Sequence, residues 1–160
     1  MTIVAPGTPA PDFRLITERG KTLTLEDLRG QTAVLVFFPF AFSPVCTDQF
    51  GVYQEVLDEF EAQGAQLYGV SCDASWSLKA FRKSLGVTIP MLSDFEPKGE
   101  TCRAFGVYHP GGFAQRAIVI VDPDGRVRWS HQASDPGELP GANLIFDGLA
   151  QAAAAEHRVG

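Results

Sequence analysis

The continuous apolar run Ala33-Val34-Leu35-Val36-Phe37-Phe38, closed by Pro39, most restricts what this chain can fold into. A strand with one wet face alternates apolar and polar residues. A strand apolar at every position must be covered on both faces, as in the middle of a sheet with helices on each side. The following segments agree. From Ser43 to Gln63, Phe50, Tyr53, Leu57 and Phe60 recur at three- and four-residue spacing, which predicts a helix that Gly64 closes. Gln66–Cys72 reads as the next strand, giving a strand–helix–strand unit with parallel strands.

The remaining pattern extends this unit at both ends. Pro6, Pro9 and Pro11 make an extended entry to a short strand near Phe13–Thr17. After the turn at Gly20-Lys21, Leu23, Leu25 and Leu28 predict a second strand and a helical turn ending at Gly30. A helix over Ser75–Leu85 places Trp76, Ala80 and Phe81 on one face, followed by a strand at Thr88–Leu92 and a helix near Lys98–Phe105. His109-Pro110-Gly111-Gly112 reads as a loop. Ala117–Val121 and Val127–His131 flank the turn Asp122-Pro123-Asp124-Gly125, a hairpin signal, and a last helix covers Leu144–Glu156. Neither a repeat nor a linker divides the 160 residues, so one α/β domain over 1–160 is expected, a mixed sheet flanked by helices.

Charge and cysteine usage exclude several classes. A net charge of −6 disfavours nonspecific binding to nucleic acid or an anionic membrane. No apolar stretch approaches the roughly 20 residues that span a bilayer. Met1–Phe13 lacks a basic segment followed by an apolar core, so no secretory signal is read there. Cys46, Cys72 and Cys102 are odd in number and widely spread, which fits free thiols in a reducing cytoplasm better than a disulfide framework. His109 and His131 have no cysteine or carboxylate at ligand-like spacing, and neither a metal nor another cofactor is expected.

Chemistry concentrates where the buried strand ends. In open α/β sheets ligands bind beyond the carboxyl ends of strands. Ser43-Pro44 is a favourable N-cap and first-turn pair, so Cys46 falls in the first turn of the long helix. Unpaired N–H groups and the helix dipole there favour a thiolate, the reactive form of cysteine. Taken alone, that position is equally compatible with an inert buried cysteine.

The surrounding residues break the tie. Pro39-x-x-x-Ser43-x-x-Cys46 resembles the peroxiredoxin signature, in which proline, threonine or serine, and cysteine stand at this spacing after an apolar strand. The likeness includes Ala10-Pro11-Asp12-Phe13, Gly69-Val70-Ser71, Pro90-Met91-Leu92-Ser93-Asp94, Ala104-Phe105-Gly106-Val107-Tyr108 and Arg116 leading into Ala117–Asp122. It is nearest to the one-cysteine alkyl hydroperoxide reductase E-type group, with the Q-type (bacterioferritin comigratory) group as neighbour. The resemblance implies a thioredoxin-like fold and a thiol-dependent peroxidase. It also implies roles: Cys46 as peroxidatic thiolate, Ser43 as hydrogen-bond partner of the peroxide, Pro39 as shield, and Arg116 as the cation favouring thiolate and O–O cleavage. A homodimer is implied as well.

Departures from the family pattern sharpen the expectation. Gln49 stands where the E-type group often has glutamate; it can orient Arg116 but brings no charge. Gly51 occupies the position of a common Q-type resolving cysteine, and Ser75–Leu85 contains none. A one-cysteine cycle is therefore expected, with hydrogen peroxide or an organic hydroperoxide as substrate. The reductant is then an external thiol: a glutaredoxin-like protein, thioredoxin or a low-molecular-weight thiol. The alternatives are a two-cysteine peroxidase resolved by Cys72 or Cys102, and a redox-signalling or thiol–disulfide exchange protein on the same fold. Cys72, at a strand end on the edge that carries Cys46, is the first candidate resolver. Ser43 in place of a Cys-x-x-Cys partner disfavours a disulfide oxidoreductase, and the missing cysteine pair disfavours copper delivery.

Overall fold

A computed structural model describes residues 2–135 and 138–159. In chain order the elements are β1 (Arg14–Ile16), β2 (Thr22–Thr24), a 3-10 turn (Glu26–Leu28) and β3 (Thr32–Phe37), then α1 (Pro44–Glu55), α2 (Leu57–Ala62) and β4 (Ala65–Ser71). Next come α3 (Ser75–Leu85), β5 (Met91–Ser93), α4 (Glu100–Ala104), β6 (Tyr108–His109) and β7 (Phe113–Ala114). The chain continues through β8 (Ala117–Val121), β9 (Val127–Gln132) and α5 (Ala142–Val159). Seven strands form one mixed sheet in the order β2-β1-β5-β4-β3-β8-β9. β3 runs parallel to β4 and antiparallel to β8, with Leu35 opposite Tyr68 and Val119.

The two-faced burial expected of the apolar run is what the sheet uses. Val34, Val36 and Phe38 pack with Phe50, Phe60, Phe81 and Ile145 in a core that includes residues of α1, α2, α3 and α5. Ala33, Leu35 and Phe37 pack in a second core with Phe13, Val70, Cys102 and Phe105, next to α4. Because successive side chains point to opposite faces, one strand feeds both cores, and its carboxyl end lies between them.

Several elements differ from the sequence pattern. The helix expected over Ser43–Gln63 is two helices: Val56 leaves the helical region at φ −117°, ψ 19°, and its N–H reaches Tyr53 O at 3.3 Å instead of continuing the ladder. In α3, Leu78 and Phe81 are buried while Trp76 is 79% exposed. Trp76 and Phe81 are five residues apart, which puts them about 140° apart around a helix axis, so they do not share a face. β5 starts at Met91 rather than Thr88, because Pro90 has no N–H to give; its carbonyl instead accepts from Gly69 N at 2.9 Å. The loop at 109–112 is the turn of the small β6–β7 hairpin, with Gly112 at φ +92° and its N–H on His109 O at 2.9 Å. Strands of two residues leave no periodicity to read.

The β8–β9 turn carries a buried ion pair. One Asp122 carboxylate oxygen accepts from Asp124 N and Arg126 N, both at 2.9 Å, and the other accepts from Arg128 Nε at 2.6 Å. Burial opposes the charge on Asp122, but the Arg126 N–H, Arg128 and the Asp124 N–H outweigh it and hold the carboxyl below its ordinary range. Its contribution is therefore full above the unfolded value of about 3.9 and is lost as pH falls through the lower folded value. Asp122→Ala should cost about 2–4 kcal/mol at pH 7 in urea unfolding, because Arg128 loses its partner. The gap from wild type should narrow below about pH 4, where the wild-type carboxyl also loses its charge.

Candidate active site

Past β3 the chain turns sharply. Phe38 N donates to Val70 O at 3.0 Å and Ser43 N to Phe40 O at 3.4 Å, with Pro39 buried between them. Phe42 takes φ +70°, a left-handed conformation that a bulky residue adopts only under constraint. The turn is anchored from the neighbouring strand: Ala41 N donates to Asp73 Oδ2 at 2.8 Å, and Ser71 Oγ donates to the same oxygen at 2.7 Å. The sequence marks Asp73 only as a carboxylate just past the end of β4, beside the active edge.

This turn sets Ser43 at the N-cap of α1, Pro44 at its first position and Cys46 in its first turn, as expected. The expected cap bond is absent. Ser43 Oγ makes no side-chain cap, and it is buried without a hydrogen-bond partner among the described residues. An unpaired buried hydroxyl costs about 1–3 kcal/mol, and the Ser43 hydroxyl stands at the α1 N-cap with its donor and acceptor both unused among the described residues.

Cys46 is fully buried and free. Arg116, the residue before β8, is 3% exposed, not the surface arginine its place at a strand start would suggest. Its Nη2 donates to Cys46 Sγ at 3.2 Å and its Nη1 to Gln49 Oε1 at 2.5 Å. Gln49 Nε2 donates to Tyr53 Oη at 2.9 Å, and Tyr53 Oη donates to Pro140 O at 2.6 Å. The amide orientation follows from this chain: with its nitrogen committed to Tyr53, Gln49 can only offer oxygen to the guanidinium. Burial pushes the Tyr53 hydroxyl well above its ordinary value, keeping it a donor. In the sequence Tyr53 has the pattern of a core residue only; its link to Pro140 spans 87 residues and leaves no local signal. Tyr53→Phe should lower the peroxide rate constant by about 3- to 10-fold, the effect of a misoriented rather than missing arginine. Stopped-flow mixing measures this, and Gln49 would then be free to flip.

The other candidates lie elsewhere. Cys72 and Cys102 are buried and free, and both belong to the core on the opposite side of β3 from Cys46. Cys72 is thus at the expected sheet edge, but β4 alternation turns its sulfur to the other face, where it meets Cys102 at 4.0 Å. Phe40 and Phe42 are 48% and 56% exposed, resting on Phe113 and Phe81 respectively. No helix among the described residues is long and apolar enough to cross a membrane.

A thiol at a helix N-terminus, held by a buried arginine and following an N-cap serine on a thioredoxin-like sheet, defines a thiol-dependent peroxidase. Comparison with known proteins agrees, since residues 6–130 match the AhpC/TSA family model and the chain belongs to that family, the peroxiredoxins. Alkyl hydroperoxide reductase E of Mycobacterium tuberculosis is 34% identical over 146 residues, covering 90% of this chain and 95% of the relative. A peroxiredoxin of Thermotoga maritima is 36% identical over 130 residues, covering 76% of this chain and 60% of the relative. Among solved structures, AhpC of Enterococcus faecalis superposes with a TM-score of 0.85 at 29% identity, covering 98% of this chain and 96% of that one.

Proposed function

We propose that the chain reduces hydrogen peroxide and organic hydroperoxides through Cys46 in a one-cysteine cycle completed by an external thiol. The observation that carries this reading is the Arg116 Nη2 donor 3.2 Å from Cys46 Sγ. The sulfur attacks the terminal peroxide oxygen and the O–O bond breaks. Negative charge grows on the departing oxygen, where Arg116 and the unpaired Ser43 hydroxyl are the preorganised donors, and that oxygen leaves protonated as alcohol or water. Cys46 is left as sulfenic acid. A first external thiol attacks it, releasing water and forming a mixed disulfide, and a second thiol frees Cys46. Pro39 and the sealed first turn keep bulk water from the sulfur.

Two observations favour the one-cysteine form. Gly51 offers no resolver one turn along α1, and Cys72 and Cys102 sit against each other in the opposite core. Glutaredoxin-like proteins, thioredoxin and low-molecular-weight thiols are the candidate reductants. The exposed Phe40 and Phe42 beside the site are an apolar surface that a second copy would cover in a homodimer, and three free thiols suit the cytoplasm.

Mass spectrometry after one equivalent of hydrogen peroxide tests the cycle. One oxygen should be gained at Cys46, and added thiol should convert it to a mixed disulfide there. A Cys46–Cys72 or Cys46–Cys102 cross-link would replace this reading with the two-cysteine one. Ser43→Ala should retain the fold and lose about 10- to 100-fold in the peroxide rate constant, since one transition-state donor is removed. Stopped-flow measurement with hydrogen peroxide and with a bulkier alkyl hydroperoxide should give similar losses, because the donor serves the shared O–O group.

A further inference from the structure

A second pair of sulfurs lies outside the Cys46 site. Cys72 follows β4, Cys102 is on α4, and their Sγ atoms are 4.0 Å apart. Asp94, one residue past β5, has a carboxylate oxygen that lies with both sulfurs inside a 4.8 Å grouping. Its position is fixed: Oδ1 accepts from Thr101 N at 3.1 Å, Oδ2 from Cys102 N at 2.8 Å, and Asp94 N donates to Ser71 O at 2.8 Å. Exposure is graded, with Cys72 7%, Asp94 3% and Cys102 0% exposed. The outermost sulfur is thus backed by a buried thiol, and the buried thiol by a buried carboxylate.

We propose that Cys72 and Cys102 are a second redox-active dithiol, independent of Cys46, which hydroperoxide converts to a Cys72–Cys102 disulfide with Asp94 carrying the Cys102 proton. Cys72 Sγ gives its electron pair to the terminal peroxide oxygen. The O–O bond breaks, and alcohol (or water) leaves with the proton of the Cys72 thiol. Cys102 passes its proton to Asp94 and attacks Cys72 Sγ. The S–O bond of the sulfenic acid breaks, and hydroxide takes the proton from Asp94 and leaves as water. Two sulfurs lose two electrons in all, and the peroxide gains them. The sulfurs must close from 4.0 Å to the disulfide length of about 2.05 Å.

Proton affinities divide the roles in the same way. The hydrogen bond shared with Cys102 lowers the Cys72 thiol; burial and Asp94 oppose that lowering, and Lys98 assists it. The hydrogen bond to Cys72 raises the Cys102 thiol, and burial and Asp94 raise it further. Burial raises Asp94. The lowered Cys72 thiol suits the attacking sulfur, whereas Cys102 is held protonated and attacks only as Asp94, itself raised toward accepting a proton, takes its proton.

The test uses the full chain carrying Cys46→Ser, so its outcome does not depend on the Cys46 cycle. After treatment with hydrogen peroxide and acid quench with an alkylating reagent, digestion without reductant should yield the Cys72 and Cys102 peptides linked. The link should carry the loss of two hydrogens, revert with dithiothreitol, and disappear when Cys102→Ala is added. Asp94→Asn should slow its formation by about 10- to 100-fold. Full alkylation of both cysteines after peroxide overturns the proposal, as does oxidation of Cys72 to sulfinic acid without a link. Stoichiometric zinc held by the isolated protein, masking both thiols, also overturns it. Should Asp94→Asn fail to fold, the linked peptide in the Cys46→Ser protein still decides the dithiol.

Discussion

Cys46→Ser is expected to bring hydroperoxide consumption down to the uncatalysed rate, a loss on the order of 10⁵ or more in kcat/KM. Serine is nearly isosteric, and the position is fully buried, so the change removes one polarisable atom and leaves the packing almost intact. A hydroxyl at neutral pH is a weak nucleophile toward peroxide, and a single Arg116 donor cannot ionise it. Stopped-flow peroxide decay separates the outcomes. A residual rate within 10-fold of wild type would move the chemistry away from Cys46, and Cys72 would be the first place to look. Without added thiol, the linked dithiol proposed at Cys72 and Cys102 reacts with only one equivalent of peroxide. It would therefore appear in the variant as a single stoichiometric phase, not as continued consumption.

How much of this was legible in the chain differs by residue. The run 33–38 disclosed the central strand because burial on both faces writes itself into every position. Cys46, Ser43 and Pro39 stand out together in the sequence because they are close along the chain and share one turn. Arg116 was found only through resemblance: its distance from Cys46 is 70 residues along the chain, and a lone arginine before a strand has no pattern of its own. Tyr53, Pro140 and Asp73, which hold Arg116 through Gln49 or tether the turn, left no mark because their partners are remote and each looks like ordinary core or loop. The dithiol shows the converse. Cys72 was read correctly as a strand-end cysteine near the active edge, but a face is decided by parity along β4. Ser71 and Cys72 point opposite ways, and one residue of register separates the face that carries Cys46 from the face that carries Cys102.

Arg116→Met should lower the peroxide rate constant by about 10²- to 10³-fold, the loss typical of one preorganised donor at a developing charge. Methionine fills similar volume, so the loss would be electrostatic. Gln49 Oε1 would lose its buried donor, and the relay to Tyr53 and Pro140 would end in an unpaired acceptor. Two explanations of the arginine are then separable. If it served only to favour the thiolate, raising the pH would restore the rate. If it also stabilises the departing oxygen, the deficit persists at every pH, and that is the expected result. Arg116→Lys should recover only part of the loss. Arg116 meets Cys46 and Gln49 with two nitrogens of one planar fork, and an ammonium on a flexible stem cannot hold both at once. Stopped-flow rates for the three proteins between pH 6 and 10, each normalised to titrated thiol, measure the difference. Full restoration of Arg116→Met at high pH would confine Arg116 to thiolate formation and leave Ser43 as the donor to the leaving oxygen.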